Sequence, residues 1–235
     1  MAFEGKVVMI TGAAGVLGRA VANAFAQASA SLVLVDLQRD ALARVFGAEH
    51  ERCLFAPADL LDSAQAQATV AQAQQRFGRV DVLCNLAGGF RMGEAVHETA
   101  DPTWNFLFDL NVRTLLHAVR AVVPCMLAAG GGGRIVNVGA FAAQRGGGRM
   151  GAYTAAKSSV IRLTESMAAE LRERGINVNC VLPTIIDTPD NRAAMPDADP
   201  ARWVAAEDLA NVIVFLASDS ARAIHGAAVP VTGLS

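Results

Sequence analysis

Short apolar runs alternate with amphipathic, alanine-rich segments from one end of the chain to the other. The runs Val7–Ile10, Leu32–Val35, Cys53–Phe55, Val80–Cys84, Ile135–Val138, Val178–Leu182 and Ala228–Val231 are near-continuously hydrophobic and often β-branched, as strands buried on both faces are. Between them, helical periodicity predicts helices over 17–28, 39–47, 63–77, 101–128, 151–174 and 206–217. Strands and helices in strict alternation predict an α/β fold, a doubly wound parallel sheet with right-handed crossovers and helices on both faces. No repeat or linker divides residues 1–235, so one domain is expected. Glycine clusters at 130–133 and 146–148 read as loops beside the fifth strand. The Pro- and Asp-rich stretch 183–200 reads as irregular, and residues 184–205 are expected to form a mobile substrate loop.

A chain of 235 residues, 53% hydrophobic and with 21 glycines, suits a single well-buried core. Its 20 basic and 22 acidic residues give no polyanion-binding signature, which disfavours a nucleic-acid partner. Cys53, Cys84, Cys125 and Cys180 lack metal or redox spacing, and three lie in apolar runs, as expected of core thiols in a reducing cytosol. The four histidines form no ligand motif, so no metal site is expected. With no uninterrupted apolar run of about 18 residues, a soluble, cytoplasmic protein acting on a small molecule is expected, without a membrane partner.

Two constellations carry chemistry. Tyr153 and Lys157 stand four residues apart on one predicted helix, hence on one face. An ammonium at that spacing stabilises tyrosinate and is expected to lower the phenol's pKa, giving a proton donor and acceptor usable near neutral pH. Far upstream, Thr11-Gly12-Ala13-Ala14-Gly15-Val16-Leu17-Gly18 joins the first strand to a helix. Glycines there allow a tight turn and bring a diphosphate against the amides of the helix N-terminus. Asp36 ends the second strand at a distance suited to the ribose hydroxyls of adenosine, and its charge would repel a 2′-phosphate. No basic residue stands in the turn before Gly18 and Leu37 follows the aspartate, so NAD(H) is expected over NADP(H), with Arg39 the one nearby cation that would favour the latter.

With these residues in place, the chain resembles the short-chain dehydrogenase/reductase family over essentially its whole length. The resemblance implies a Rossmann-type, seven-stranded sheet and hydride transfer between nicotinamide and a ketone or secondary alcohol. Asp59-Leu60 is similar to the pair flanking adenine, and Asn85-Leu86-Ala87-Gly88 to the N-N-A-G segment, with Leu86 for the second asparagine. Asn111 is similar to the helix asparagine whose backbone carbonyl holds a water beside the lysine. Pro183-Thr184-Ile185-Ile186-Asp187-Thr188 resembles the loop that meets the carboxamide. The resemblance thus places Tyr153, Lys157 and Asn111 in catalysis. It assigns the cofactor to Gly12, Gly15, Val16, Leu17, Gly18, Asp36, Leu37, Asp59, Leu60, Asn85, Ala87, Gly88, Pro183, Ile186 and Thr188, with Tyr153 and Lys157. It also implies a homodimer or homotetramer paired through the long helices.

Two departures stand out. The usual glycine turn would place its middle glycine at position 16, where this chain has Val16 after Gly15. The family's catalytic serine lies thirteen residues before the tyrosine, at 153 − 13 = 140, and this chain has Ala140. Losing one preorganised donor commonly costs roughly 10²–10³ in rate. Gln144 and Arg145 are the nearest side chains able to substitute, and Met150, Met195 and Trp203 are expected as apolar pocket walls. Two other readings remain open. One is reduction of a quinonoid ring, as in the dihydropteridine reductase branch. The other is a nicotinamide-binding sensor with little turnover.

Overall fold

The computed structural model describes residues 2–235. Seven parallel strands form one sheet in the order β3-β2-β1-β4-β5-β6-β7. They are β1 (Val7–Thr11), β2 (Ser31–Val35), β3 (Cys53–Phe55), β4 (Val82–Asn85), β5 (Gly133–Val138), β6 (Ile176–Pro183) and β7 (Ala228–Val231). Winding reverses between β1 and β4, where open α/β sheets place their ligands. The expected doubly wound sheet is therefore present, although Gly133 opens β5 instead of belonging to a loop.

Period-two alternation sends successive strand residues to opposite layers. Val7, Met9, Val33 and Val35 join one apolar cluster; Val8, Ile10, Leu32 and Leu34 join the other. The first layer is covered by α3 (Ser63–Phe77), α5 (Thr114–Ala129) and α6 (Gly151–Leu171). The second is covered by α1 (Val16–Gln27), α2 (Arg39–Phe46) and α8 (Ala206–Ala217). All four cysteines are free and buried.

The helix expected at 101–128 is interrupted. After α4 (Asp101–Phe108), residues Asp109–Arg113 form a π-helical turn before α5 begins. The Thr114 amide donates to the Asp109 carbonyl, five residues back. By length and composition alone, Asp101–Ala129 could cross a membrane. Here its apolar face lies in the core: Leu115, Val119, Val122 and Met126 are all buried.

The stretch expected to be irregular contains α7 (Pro189–Ala194) and a 3₁₀ turn at Pro200–Arg202. Thr188 caps α7 through its side-chain oxygen, which accepts from the Asn191 amide at 3.1 Å, and Pro189 opens the helix. Asp187 pairs with Arg192, and Ile186 bridges to Val204, tying the base of the segment to the body.

Candidate active site

The C-terminal ends of β1, β2, β4, β5 and β6 open onto one cleft of about 1790 Å³. One wall is the glycine turn. Gly12 has φ +65°, and a Cβ there would lie 3.0 Å from the backbone of Ala87. A Cβ on Gly18 would lie 2.2 Å from the Gly12 carbonyl oxygen and 2.7 Å from Ala13 Cα, so that residue must be glycine for the turn to close. Gly15 is different: its φ is −71°, and a Cβ would meet only the Gly12 oxygen, at 3.4 Å. Displacing the middle glycine from 16 to 15 therefore leaves the turn intact, and Val16 simply begins α1 at the cleft wall.

Asp36 fixes that turn to β2. Its carboxylate accepts from Ala14 N at 2.9 Å and from Leu37 N at 2.8 Å, leaving further lone pairs toward the cleft. Arg39 is held elsewhere, paired with Glu49 and bonded to the Phe55 carbonyl. Asp59 shapes the next turn by accepting from Leu61 N at 2.8 Å. The Thr11 hydroxyl receives the amides of Leu86 and Ala87 at 3.0 and 3.1 Å, locking the β4 loop to β1.

These features fit a dinucleotide. Uncapped amides at the α1 N-terminus, a glycine surface no side chain can fill and a carboxylate at the end of β2 form a cradle for diphosphate and ribose. Gly12, Gly15, Val16, Leu17, Gly18, Asp36, Leu37, Asp59, Leu60, Ala87 and Gly88 all line the cleft. So do Pro183, Ile186 and Thr188 at its other end. Asn85, also expected at the cofactor, is set back from the cleft. It is buried, donates to Asn137 Oδ1 at 2.8 Å across β4 and β5, and does not reach the cleft wall.

Tyr153 and Lys157 sit on α6 and line the same cleft. Phe90 packs edge-on against the Tyr153 ring, with centroids 4.9 Å apart and planes at 90°. Lys157 is buried, and its Nζ donates to the Val138 carbonyl at 2.9 Å. Burial pushes the Tyr153 phenol up to about 12 and the Lys157 ammonium down to about 8. This reverses the direction expected for Tyr153 from spacing alone. The cause is desolvation, which spacing does not reveal, while the ammonium is bonded to the Val138 carbonyl.

Asn111 lies behind the cleft wall, in the π turn. Its side chain accepts from Gly89 N and donates to Gly89 O, both at 3.0 Å, and donates to Leu107 O at 3.0 Å. Nothing in the local sequence marks this double clamp. Ala140 lines the cleft with no hydroxyl to offer, while Gln144, Arg145, Met150 and Met195 line it nearby. Trp203, expected as a pocket wall, is buried and does not line the cleft, while the adjacent Val204 bridges to Ile186. Among the described residues, no group of three His, Cys, Asp or Glu side chains could hold a metal ion.

The buried ammonium has a measurable consequence. Lys157 has a folded pKa of about 8, below its unfolded value near ~10.4, so the unfolded chain binds more protons between those values. Its contribution to stability rises with pH through that window and is least favourable below pH 8. Lys157→Met removes this dependence. The apoprotein variant's stability relative to wild type should therefore decline by about 1–2 kcal/mol from pH 7 to 9.5, read from urea midpoints. A difference independent of pH would contradict a charged, buried Lys157.

The model of the short chain dehydrogenase family matches residues 6–199. Sorbitol dehydrogenase of Cereibacter sphaeroides is 34% identical, over 94% of this chain and 93% of that protein. Among solved structures, carveol dehydrogenase from Mycobacterium avium in complex with NAD superposes with a TM-score of 0.89 at 30% identity, covering 99% of this chain and 98% of that one. The 3-ketoacyl-(acyl-carrier-protein) reductase from Brucella melitensis, complexed with NADH, gives 0.87 at 30% identity over 98% of each chain. With its sheet order, glycine turn and Tyr–Lys helix already evident, the chain belongs to the short-chain dehydrogenase family, whose members are oxidoreductases of alcohols and ketones that bind a nicotinamide cofactor.

Proposed function

We propose that this protein is an NAD(H)-dependent dehydrogenase interconverting a ketone and a secondary alcohol, with Tyr153 as proton donor and acceptor. The observation that carries the reading is the opening of Tyr153 and Lys157 onto the cleft that also contains the glycine turn and Asp36. A bound nicotinamide supplies or takes the hydride. The Tyr153 hydroxyl gives its proton to the substrate oxygen in reduction and takes it back in oxidation. Lys157, held at Val138, faces the space beside Gly88 and is placed to bond the nicotinamide ribose. With Ala140 in the serine position, Gln144 and Arg145 are side-chain donors on the cleft wall that can help polarise the substrate oxygen.

Preference for NAD(H) follows from Asp36, whose charge opposes a 2′-phosphate, and from Arg39, which is engaged with Glu49. Complexes of two structural relatives with NAD and NADH support the same choice. Four free thiols suit a reducing cytosol, and pairing of the α4–α5 and α6 helices would give the dimer or tetramer. Wild type should reduce a ketone panel with NADH in preference to NADPH, and Asp36→Ala should narrow the ratio about tenfold or more. Equal use of both cofactors by wild type would sink the assignment.

A further inference from the structure

We infer that the substrate is a neutral, ring-bearing apolar ketone or secondary alcohol, selected by Phe90; this rests on the dehydrogenase reading above. Large apolar side chains left partly exposed line the cleft, Phe90 directly against Tyr153, and the Arg91 guanidinium lies over the Phe106 ring at 4.2 Å. Phe90, Met92, Phe106 and Phe141 are 55%, 57%, 41% and 39% exposed, and all four line the cleft. Uncovered aromatic surface concentrated in one concave site marks a binding surface for an apolar body.

Polar side chains line the cleft as well, among them Asp109, Thr114, Gln144, Arg145 and Asp190, while the Asn191 side-chain amide donates to the Ile186 carbonyl at 2.8 Å. A polyol must find a partner for every hydroxyl of its row, whereas Phe90, Met92, Phe106 and Phe141 offer none, and each buried unpaired hydroxyl is costly.

Ala140 strengthens the case. Without a hydroxyl there, one fewer bond orients the substrate oxygen, so shape and apolar contact must hold the reacting carbon in place. Phe90 is built for that task. The Asn111 side chain grips both the amide and the carbonyl of Gly89, and the next residue sets its ring edge-on to Tyr153. The wall is thereby fixed relative to the proton donor.

The test compares a phenyl-substituted cyclohexanone with D-fructose, each with NADH, in wild type, Phe90→Ala and Phe90→Leu, with NADH affinity measured in parallel. We expect wild-type kcat/KM to favour the cyclohexanone by about 100-fold. Phe90→Ala should lower that value about tenfold, chiefly through KM, while Phe90→Leu keeps most of it and NADH affinity stays within about twofold in both. Faster turnover of fructose, or unchanged kcat/KM for the cyclohexanone in Phe90→Ala, overturns the substrate assignment alone. Wild-type turnover of neither compound overturns it together with the dehydrogenase reading.

Discussion

Tyr153→Phe should lose at least about 10³-fold in kcat while NADH affinity stays within about threefold. The substitution removes one oxygen and keeps the ring, so the edge-on contact with Phe90 and the packing of α6 survive. The Lys157 bond to the Val138 carbonyl does not involve the phenol and survives as well. What disappears is the group able to exchange a proton with the substrate oxygen. Ala140 has no hydroxyl to take over, so the residual rate should be lower than in a site with a second donor at that position. Thermal denaturation alongside the kinetics separates a catalytic loss from unfolding. A variant with full activity would show that the donor has been misassigned.

Gly18→Ala should have the second-largest effect, on binding and stability together. A methyl group at 2.2 Å from the Gly12 carbonyl and 2.7 Å from Ala13 Cα meets backbone on both sides, so no side-chain rotation relieves it. Either α1 moves away from β1 or the turn opens. Overpacking against rigid neighbours costs about 2–3 kcal/mol, which in a chain of this size lowers Tm by roughly 5–10 °C. Displaced amides at the start of α1 should weaken NADH binding about tenfold or more. Gly15→Ala is the internal control, because its Cβ meets only one atom, at 3.4 Å. It should fold with nearly wild-type Tm. Equal destabilisation by both changes would contradict the steric account.

These contrasts show what a linear sequence conveys. The strands are legible because a sheet buried on both faces demands unbroken apolar runs, as in Val7–Ile10 and Leu32–Val35. The Tyr153–Lys157 alignment was legible because helical spacing puts residues four apart on one face. The direction of the Tyr153 shift was not, since it depends on desolvation by residues distant in sequence, Phe90 among them. The π turn at Asp109–Arg113 and the Asn111 clamp on Gly89 were equally hidden, for no residue type announces either. By contrast, α7 did leave a signal. Thr188 followed by Pro189 is a cap and a first helical residue, a pair masked by a stretch dominated by Pro and Asp. Trp203 is expected as a pocket wall because large aromatic residues in a loop often are; it is buried instead, beside the long-range Ile186–Val204 pairing, which no local pattern announces.

The central claim is that this cleft transfers hydride to a carbonyl carbon with Tyr153 as the proton donor. Its most direct test is reduction of an apolar cyclic ketone by NADH deuterated at nicotinamide C4, in wild type and Tyr153→Phe, with the alcohol analysed by mass spectrometry and NMR. The account predicts one deuterium on the carbinol carbon in wild type and alcohol formation at least about 10³-fold slower in the variant. Alcohol lacking that deuterium, or formed equally fast by Tyr153→Phe, would contradict it.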